Sequence, residues 1–193
     1  MNLADPTGKC GDRYKDGTCR VKVDPKLGEA GKAAGKALEV RLNKYDGRVK
    51  ATDPKATIAI KDAKGNQVGS MTGKQLQQTW NNQKFSIMAG DAAGRGNMGL
   101  GATTPGRTTL SVGAVSEYEA AATGRGRNIN DGRDTLIFHE LGHALPYGWG
   151  INRANRGSPG NPNATGEAGA NHAGRAAADT VGGVLQCDIT DYC

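Results

Sequence analysis

The stretch Thr135-Leu136-Ile137-Phe138-His139-Glu140-Leu141-Gly142-His143-Ala144-Leu145 sets the reading of the whole chain. On a helix, His139 and His143 stand four residues apart, so both imidazoles leave one face and can converge on one cation. Glu140 lies beside them without being a natural third ligand, placed to take a proton from a metal-activated water. The flanking Leu136, Ile137, Leu141, Ala144 and Leu145 are apolar, as a helix buried beneath a cleft requires. The plain alternative is an amphipathic helix carrying two solvated or core histidines. Against it, two of the three histidines in the chain fall within this one spacing.

Around that helix the pattern predicts an α+β fold. Asp131, followed three residues later by Asp134, supplies a cap and Pro146 disfavours helix at Leu145, so the motif helix is expected over 132–144. Upstream, apolar residues at loosely helical spacing predict a helix from Leu27 to about Tyr45, ending near Asp46-Gly47. Residues 56–61 and 67–71 flank Ala63-Lys64-Gly65-Asn66 as a hairpin. A short helix over 74–81, with Leu76 and Trp80 on one face, and a strand over 84–88 follow. These strands are expected in one small mixed or antiparallel sheet packed on the motif helix. Residues 89–108 hold six glycines without the strand-then-helix frame of a phosphate loop. Arg107–Val115 reads as a strand, 116–130 as a polar connector with one helical turn at 117–122, and 146–166 as a long loop bordering the cleft. Residues 1–26 are a turn-rich lead-in and 27–193 form the domain.

At 193 residues, one domain is expected, but Leu, Ile, Val and Phe make up only 29 of them. A core that thin needs supplementing by metal or disulfides. Four cysteines allow three pairings, of which the local bridges Cys10–Cys19 and Cys187–Cys193 are the simplest and a staple between the termini the alternative; either arrangement points to an oxidising destination, whereas free thiols would fit the cytosol. The net charge of +6 admits a polyanion, yet the only local basic cluster is Arg125, Arg127 and Arg133, read as a solvated loop. Aromatics for base stacking are scarce, so nucleic acid is not an expected partner. No apolar run is long enough to span a membrane, and the N-terminal residues lack the apolar core of a signal peptide.

In the layout of His139-Glu140-x-x-His143 the chain resembles the zincin metallopeptidases, over about residues 131–179. The resemblance implies Zn2+ held by His139 and His143, Glu140 as general base, and hydrolysis of a protein substrate. Metzincins place Gly and His three and six residues after the second histidine; here those positions hold Pro146 and Trp149. No aspzincin-like Gly-Thr-x-x-Asp follows either. Gluzincins take a glutamate from a second helix, with an acidic or amide residue four positions later. Gly166-Glu167-Ala168-Gly169-Ala170-Asn171-His172 is similar to that form. It implies Glu167 as third ligand and Asn171 as support for a ligand histidine, a solvent-facing Asn171 being the alternative. His172 and Asp179 stay open as rival ligands, and Tyr147 as an oxyanion donor or a packing residue. In such peptidases a strand ahead of the motif helix often forms the sheet edge on which substrate pairs, a role for which 107–115 is placed, an ordinary sheet strand being the alternative.

Asn2-Leu3-Ala4-Asp5-Pro6-Thr7-Gly8 resembles the Asn-x-x-Asp-Pro-x-Gly junction between an Rhs-repeat core and its C-terminal toxin, although Lys9 stands where an apolar residue is usual. This implies a toxin domain secreted or delivered into a target cell as part of a larger exported protein, with a cognate immunity protein as partner. The rival readings are a zinc amidase acting on a non-protein bond, a basic nucleic-acid-binding or nuclease toxin, and a tip domain stapled by zinc.

Overall fold

In a computed structural model, which describes residues 20–89, 101–154 and 162–190, the motif lies on the helix that most other elements pack against. Each side chain from Asp134 to Ala144 is buried. In chain order the elements are β1 (Val21–Val23), α1 (Gly28–Ala51), β2 (Thr57–Lys61), β3 (Gln67–Thr72), α2 (Gly73–Asn82), β4 (Lys84–Met88), β5 (Gly101–Thr104), β6 (Arg107–Ser111), α3 (Val112–Gly124), α4 (Ile129–Ala144), α5 (Pro146–Ala154), α6 (Pro162–Val181) and α7 (Cys187–Thr190). The fold is mixed α+β, as expected. A four-stranded sheet runs in the order β1-β4-β6-β5, with β1, β4 and β6 parallel and β5 antiparallel to β6.

The hairpin stands where the sequence places it, with Asp62 accepting from the backbone N–H groups of Lys64 and Asn66 to shape its turn. It does not join the strand at 84–88, however: β2 and β3 form a separate two-stranded sheet. The main sheet instead gains β1 from within the expected lead-in and β5 from within the glycine-rich stretch. Residues 1–19, including the junction-like heptapeptide, lie outside the described residues, as do Cys10, Cys19 and Cys193 with the expected disulfide pairings.

Three helix boundaries differ from expectation. α1 runs through Asp46-Gly47 because Leu38, Leu42, Tyr45 and Val49 continue one buried stripe across that pair. Asp46 is also held, accepting from Trp80 Nε1 at 2.6 Å and pairing with Arg20. The strand expected over 107–115 stops at Ser111, whose hydroxyl accepts from Ala114 N and starts α3. Here a local cap outweighs the strand propensity of Val112 and Val115. Finally, within the stretch 146–166 expected as a loop, 146–154 and 162–166 are helical: Pro146 ends α4 and opens α5, since a proline lacking an N–H costs nothing in the first turn of a helix.

The core gathers between α1, α2 and α4. Phe138 meets Tyr45 edge-on at 5.1 Å between ring centroids and Trp80 at 6.1 Å. Asp131, expected as the cap with Asp134 three residues on, instead lies within α4, as does Asp134; Asn128 caps the helix by accepting from Asn130 N. The Asp134 carboxylate takes Nε of Arg41 at 2.6 Å and the Tyr45 hydroxyl, and so ties α4 to α1. Burial, then the hydrogen bond to Asp134, push the Tyr45 hydroxyl well above its ordinary pKa, so it stays protonated and donating. Asp134→Ala would leave a guanidinium and a buried phenol without their acceptor. We expect it to destabilise the fold by about 3–5 kcal/mol, measured as a lower urea midpoint at unchanged m-value.

Candidate metal centre

Two helices meet at the motif because both lack side chains at their crossing. Gly142 of α4 lies against the carbonyl of Ala170, and Gly174 of α6 lies against the carbonyl of Phe138. A Cβ at either position would overlap backbone, so only glycine permits this approach. Around the crossing, α6 is lined with buried Ala170, Ala173 and Ala177. Gly169 and Gly174, weak helix formers by themselves, are thus explained by packing: Gly169 sits against Ile151 of α5.

The close crossing sets Glu167 and Asn171, one turn apart on α6, against the two histidines. Glu167 Oε2 lies 3.1 Å from His139 Nε2 and 3.3 Å from His143 Nε2. The imidazoles stand nearly perpendicular, at 89° with centroids 4.9 Å apart. All three candidate ligand atoms fall within 4.8 Å of one another, and no other such trio is found among the described residues. A tetrahedral ion with bonds of about 2.0–2.2 Å needs ligand atoms roughly 3.3–3.6 Å apart. The two carboxylate–imidazole separations are close to that spacing, so His139, His143 and Glu167 could hold a metal ion with modest adjustment between the histidines.

The surroundings prepare the ligands. Asn171, fully buried, has its Oδ1 2.7 Å from His139 Nδ1, which places the proton on Nδ1 and leaves Nε2 free to bind. Asn171 therefore supports a ligand histidine and does not face solvent. Burial by itself would lower the His139 pKa, but the bond to Glu167 and the charge of Glu140 outweigh it and raise it to about 9. Burial would likewise raise Glu167, yet the two histidines beside it hold its carboxyl well below the usual carboxylate range. Two imidazoles facing one carboxylate at these distances mark a place where a cation is favoured. The histidines are nearly enclosed, whereas the Glu167 side chain keeps 33 % of its exposure, so the trio is reached from the α6 side.

Glu140 is buried beside the trio and is held by the edge strand β5. The Thr103 hydroxyl donates to Glu140 Oε2, and Gly101 lies against Oε1 so closely that a Cβ there would overlap it. Sequence reasoning missed both residues. The signal was Pro105-Gly106, a proline-glycine pair with Gly106 at φ +89°, which turns β5 into β6. It also corrects the position of the sheet edge: β6 is flanked by β4 and β5, so β5 and not 107–111 borders the site.

The rival ligands fall elsewhere. Asp179 is exposed on the last turns of α6, and neither it nor His172 joins the trio. His172 is half-buried in the field of Asp62, with burial lowering its pKa and Asp62 opposing. Tyr147 packs its ring on Gly69 of β3, the packing role. The basic cluster is occupied within the chain: Arg127 and Arg125 lie 2.9 and 3.5 Å from Asp188, and Arg133 lies 2.6 Å from Glu119. No helix among the described residues is long and apolar enough to cross a membrane. Set beside known proteins, the chain matches no family model, and no curated protein or solved structure matches it.

Proposed function

We propose that the protein is a zinc-dependent metalloendopeptidase of zincin-like design, acting as a secreted or delivered bacterial toxin domain. The observation that carries this reading is the convergence of His139, His143 and Glu167 on one point with Glu140 buried beside it. Two imidazoles and one carboxylate are a donor set that suits zinc, with room for a fourth position. Bound there, zinc would supply Lewis-acid polarisation and a water acidic enough to ionise near neutrality.

The residues of the chain do the rest. Asn171 fixes the ring of His139 so that Nε2, not Nδ1, is offered to the ion. Glu140 takes the proton from the attacking water and returns it to the leaving amine nitrogen. Closed on the side of α4 and open at Glu167, the site admits substrate from one direction. Strand β5 lies at the sheet edge, where an extended peptide would pair with its backbone. The toxin assignment rests on the junction-like Asn2–Gly8 segment, and a cognate immunity protein would be its partner.

The test is metal analysis of gently purified protein together with cleavage of casein and of peptidoglycan. About one zinc per chain and chelator-sensitive casein cleavage is the expected result. Cleavage of peptidoglycan alone would make it an amidase, and less than stoichiometric transition metal would overturn the reading.

A further inference from the structure

Glu140 stands at the end of a run of buried and half-buried polar groups that crosses the sheet, and the run has a direction. It begins at Gln83, the residue between α2 and β4, which is buried. The N–H of Gly106 donates to Gln83 Oε1 at 2.8 Å, and since a backbone N–H can only donate, the orientation of the amide is settled. Its Nε2 then donates to the Thr104 carbonyl at 3.0 Å and to Thr108 Oγ1 at 2.8 Å. Thr108 Oγ1, itself fully buried, lies 2.9 Å from Thr103 Oγ1. Thr103 in turn reaches Glu140 Oε2.

Each threonine has one hydroxyl hydrogen. A carboxylate can only accept, so the hydrogen of Thr103 goes to Glu140, and that of Thr108 must go to Thr103. All three donors therefore point the same way, from Gln83 through Thr108 and Thr103 to Oε2. Hydrogen bonds in series polarise one another, and the last of them ends on a charge. Gly101 closes the other side of the same carboxylate.

We propose that Thr103, oriented by Thr108 and Gln83, is the positioning residue of the general base. It engages Oε2 while Gly101 borders Oε1, and together they fix the plane of the carboxylate. The inference rests on the hydrolase reading for its catalytic meaning, but the clamp itself does not require metal to be observed. A further consequence is that β5 has two duties, one through its backbone toward substrate and one through Thr103 toward Glu140.

Two measurements test it. In the zinc-loaded protein acting on labelled casein, Thr103→Val should lower kcat about 10–100-fold, with KM and zinc stoichiometry little changed. Thr103→Ser, which keeps the hydroxyl, should recover most of the loss. In a Glu140→Gln background, Thr103→Val should cost no further activity, because groups acting as one unit are not additive. Unchanged kcat in a folded Thr103→Val protein would overturn the proposal, as would an equal loss in Thr103→Ser.

The second measurement uses metal-free protein and needs no substrate. Thr103→Val and Thr108→Val should each lower Tm when Glu140 is present, and Thr103→Val should lower it much less when Glu140 is replaced by Leu. Equal shifts in both backgrounds would mean that the hydroxyls serve only the sheet, and would overturn the clamp. A wild type that cleaves nothing, with this coupling intact, would sink the hydrolase reading and leave the clamp standing.

Discussion

Glu140→Gln should keep one metal ion per chain and the wild-type fold while losing hydrolysis by about 10²–10⁴-fold, the range over which a positioned acid–base group acts. The substitution is nearly isosteric, and an amide oxygen can still accept from Thr103, so the buried contact with β5 survives in weakened form. What disappears is basicity: an amide cannot take a proton from water. Because Glu140 is not one of the three convergent ligand atoms, metal content should not follow activity down. Atomic absorption on the purified variant, beside casein cleavage and far-ultraviolet circular dichroism, separates these outcomes. Full cleavage by a metal-loaded variant would remove Glu140 from the mechanism. Loss of metal along with cleavage would instead make it a ligand, and the trio would have to be redrawn. The same experiment divides the hydrolase from a tip domain that zinc only staples, since a staple has no use for a base.

How much of this could be read in the sequence depended on the range of the interactions involved. His139, Glu140 and His143 were legible because helical periodicity is local and the chemistry requires that spacing. Glu167 and Asn171 were reached by likeness to a second-helix pattern, and the structure brings them to the histidines through contacts no spacing announces. Those contacts are made by Gly142 and Gly174, which look in sequence like helix breakers and in the fold allow two backbones to touch. The hairpin, α2 and β4 fell where alternation and turn chemistry placed them. Boundaries failed where a distant partner decided the matter. Asp46 looked like a stop until Arg20 and Trp80 occupied it, and Asp131 looked like the cap, whereas Asn128 takes that place and Asp134 is drawn inward by Arg41 and Tyr45. β5 was hidden for another reason: four small residues, Gly101 to Thr104, carry no apolar alternation, and their strand exists because β6 pairs with them and Gln83 pins the turn. That is also why Thr103 escaped notice as a partner of Glu140.

Removing the metal should be felt in stability as strongly as in activity, and Glu167→Ala is the variant that shows why. Without an ion, α4 and α6 are joined by the polar contacts of Glu167 and Asn171 with the histidines and by small residues whose burial contributes little apiece: Ala170, Ala173 and Ala177 against a glycine-bearing helix. An ion bound by two residues of α4 and one of α6 would link the helices directly, and it binds only the folded arrangement. At free zinc about 100–1,000 times the dissociation constant, that linkage is worth roughly 2.7–4.1 kcal/mol. At roughly 2–4 °C per kcal/mol for a chain of this size, Tm should fall by on the order of 10 °C when a chelator strips the protein. In Glu167→Ala the two histidines remain, but the tie to α6 is cut. Zinc should then bind much more weakly, and the difference in Tm between zinc-loaded and chelated protein should largely vanish, along with casein cleavage. Differential scanning calorimetry with and without chelator reads both numbers on one sample. A Glu167→Ala protein that still holds one zinc and still gains its full Tm increment would mean that the third ligand comes from elsewhere in the chain. A wild type indifferent to chelation would mean that the helix crossing at Gly142 and Gly174 holds by packing alone, and that the convergence of the two histidines and Glu167 owes nothing to an ion.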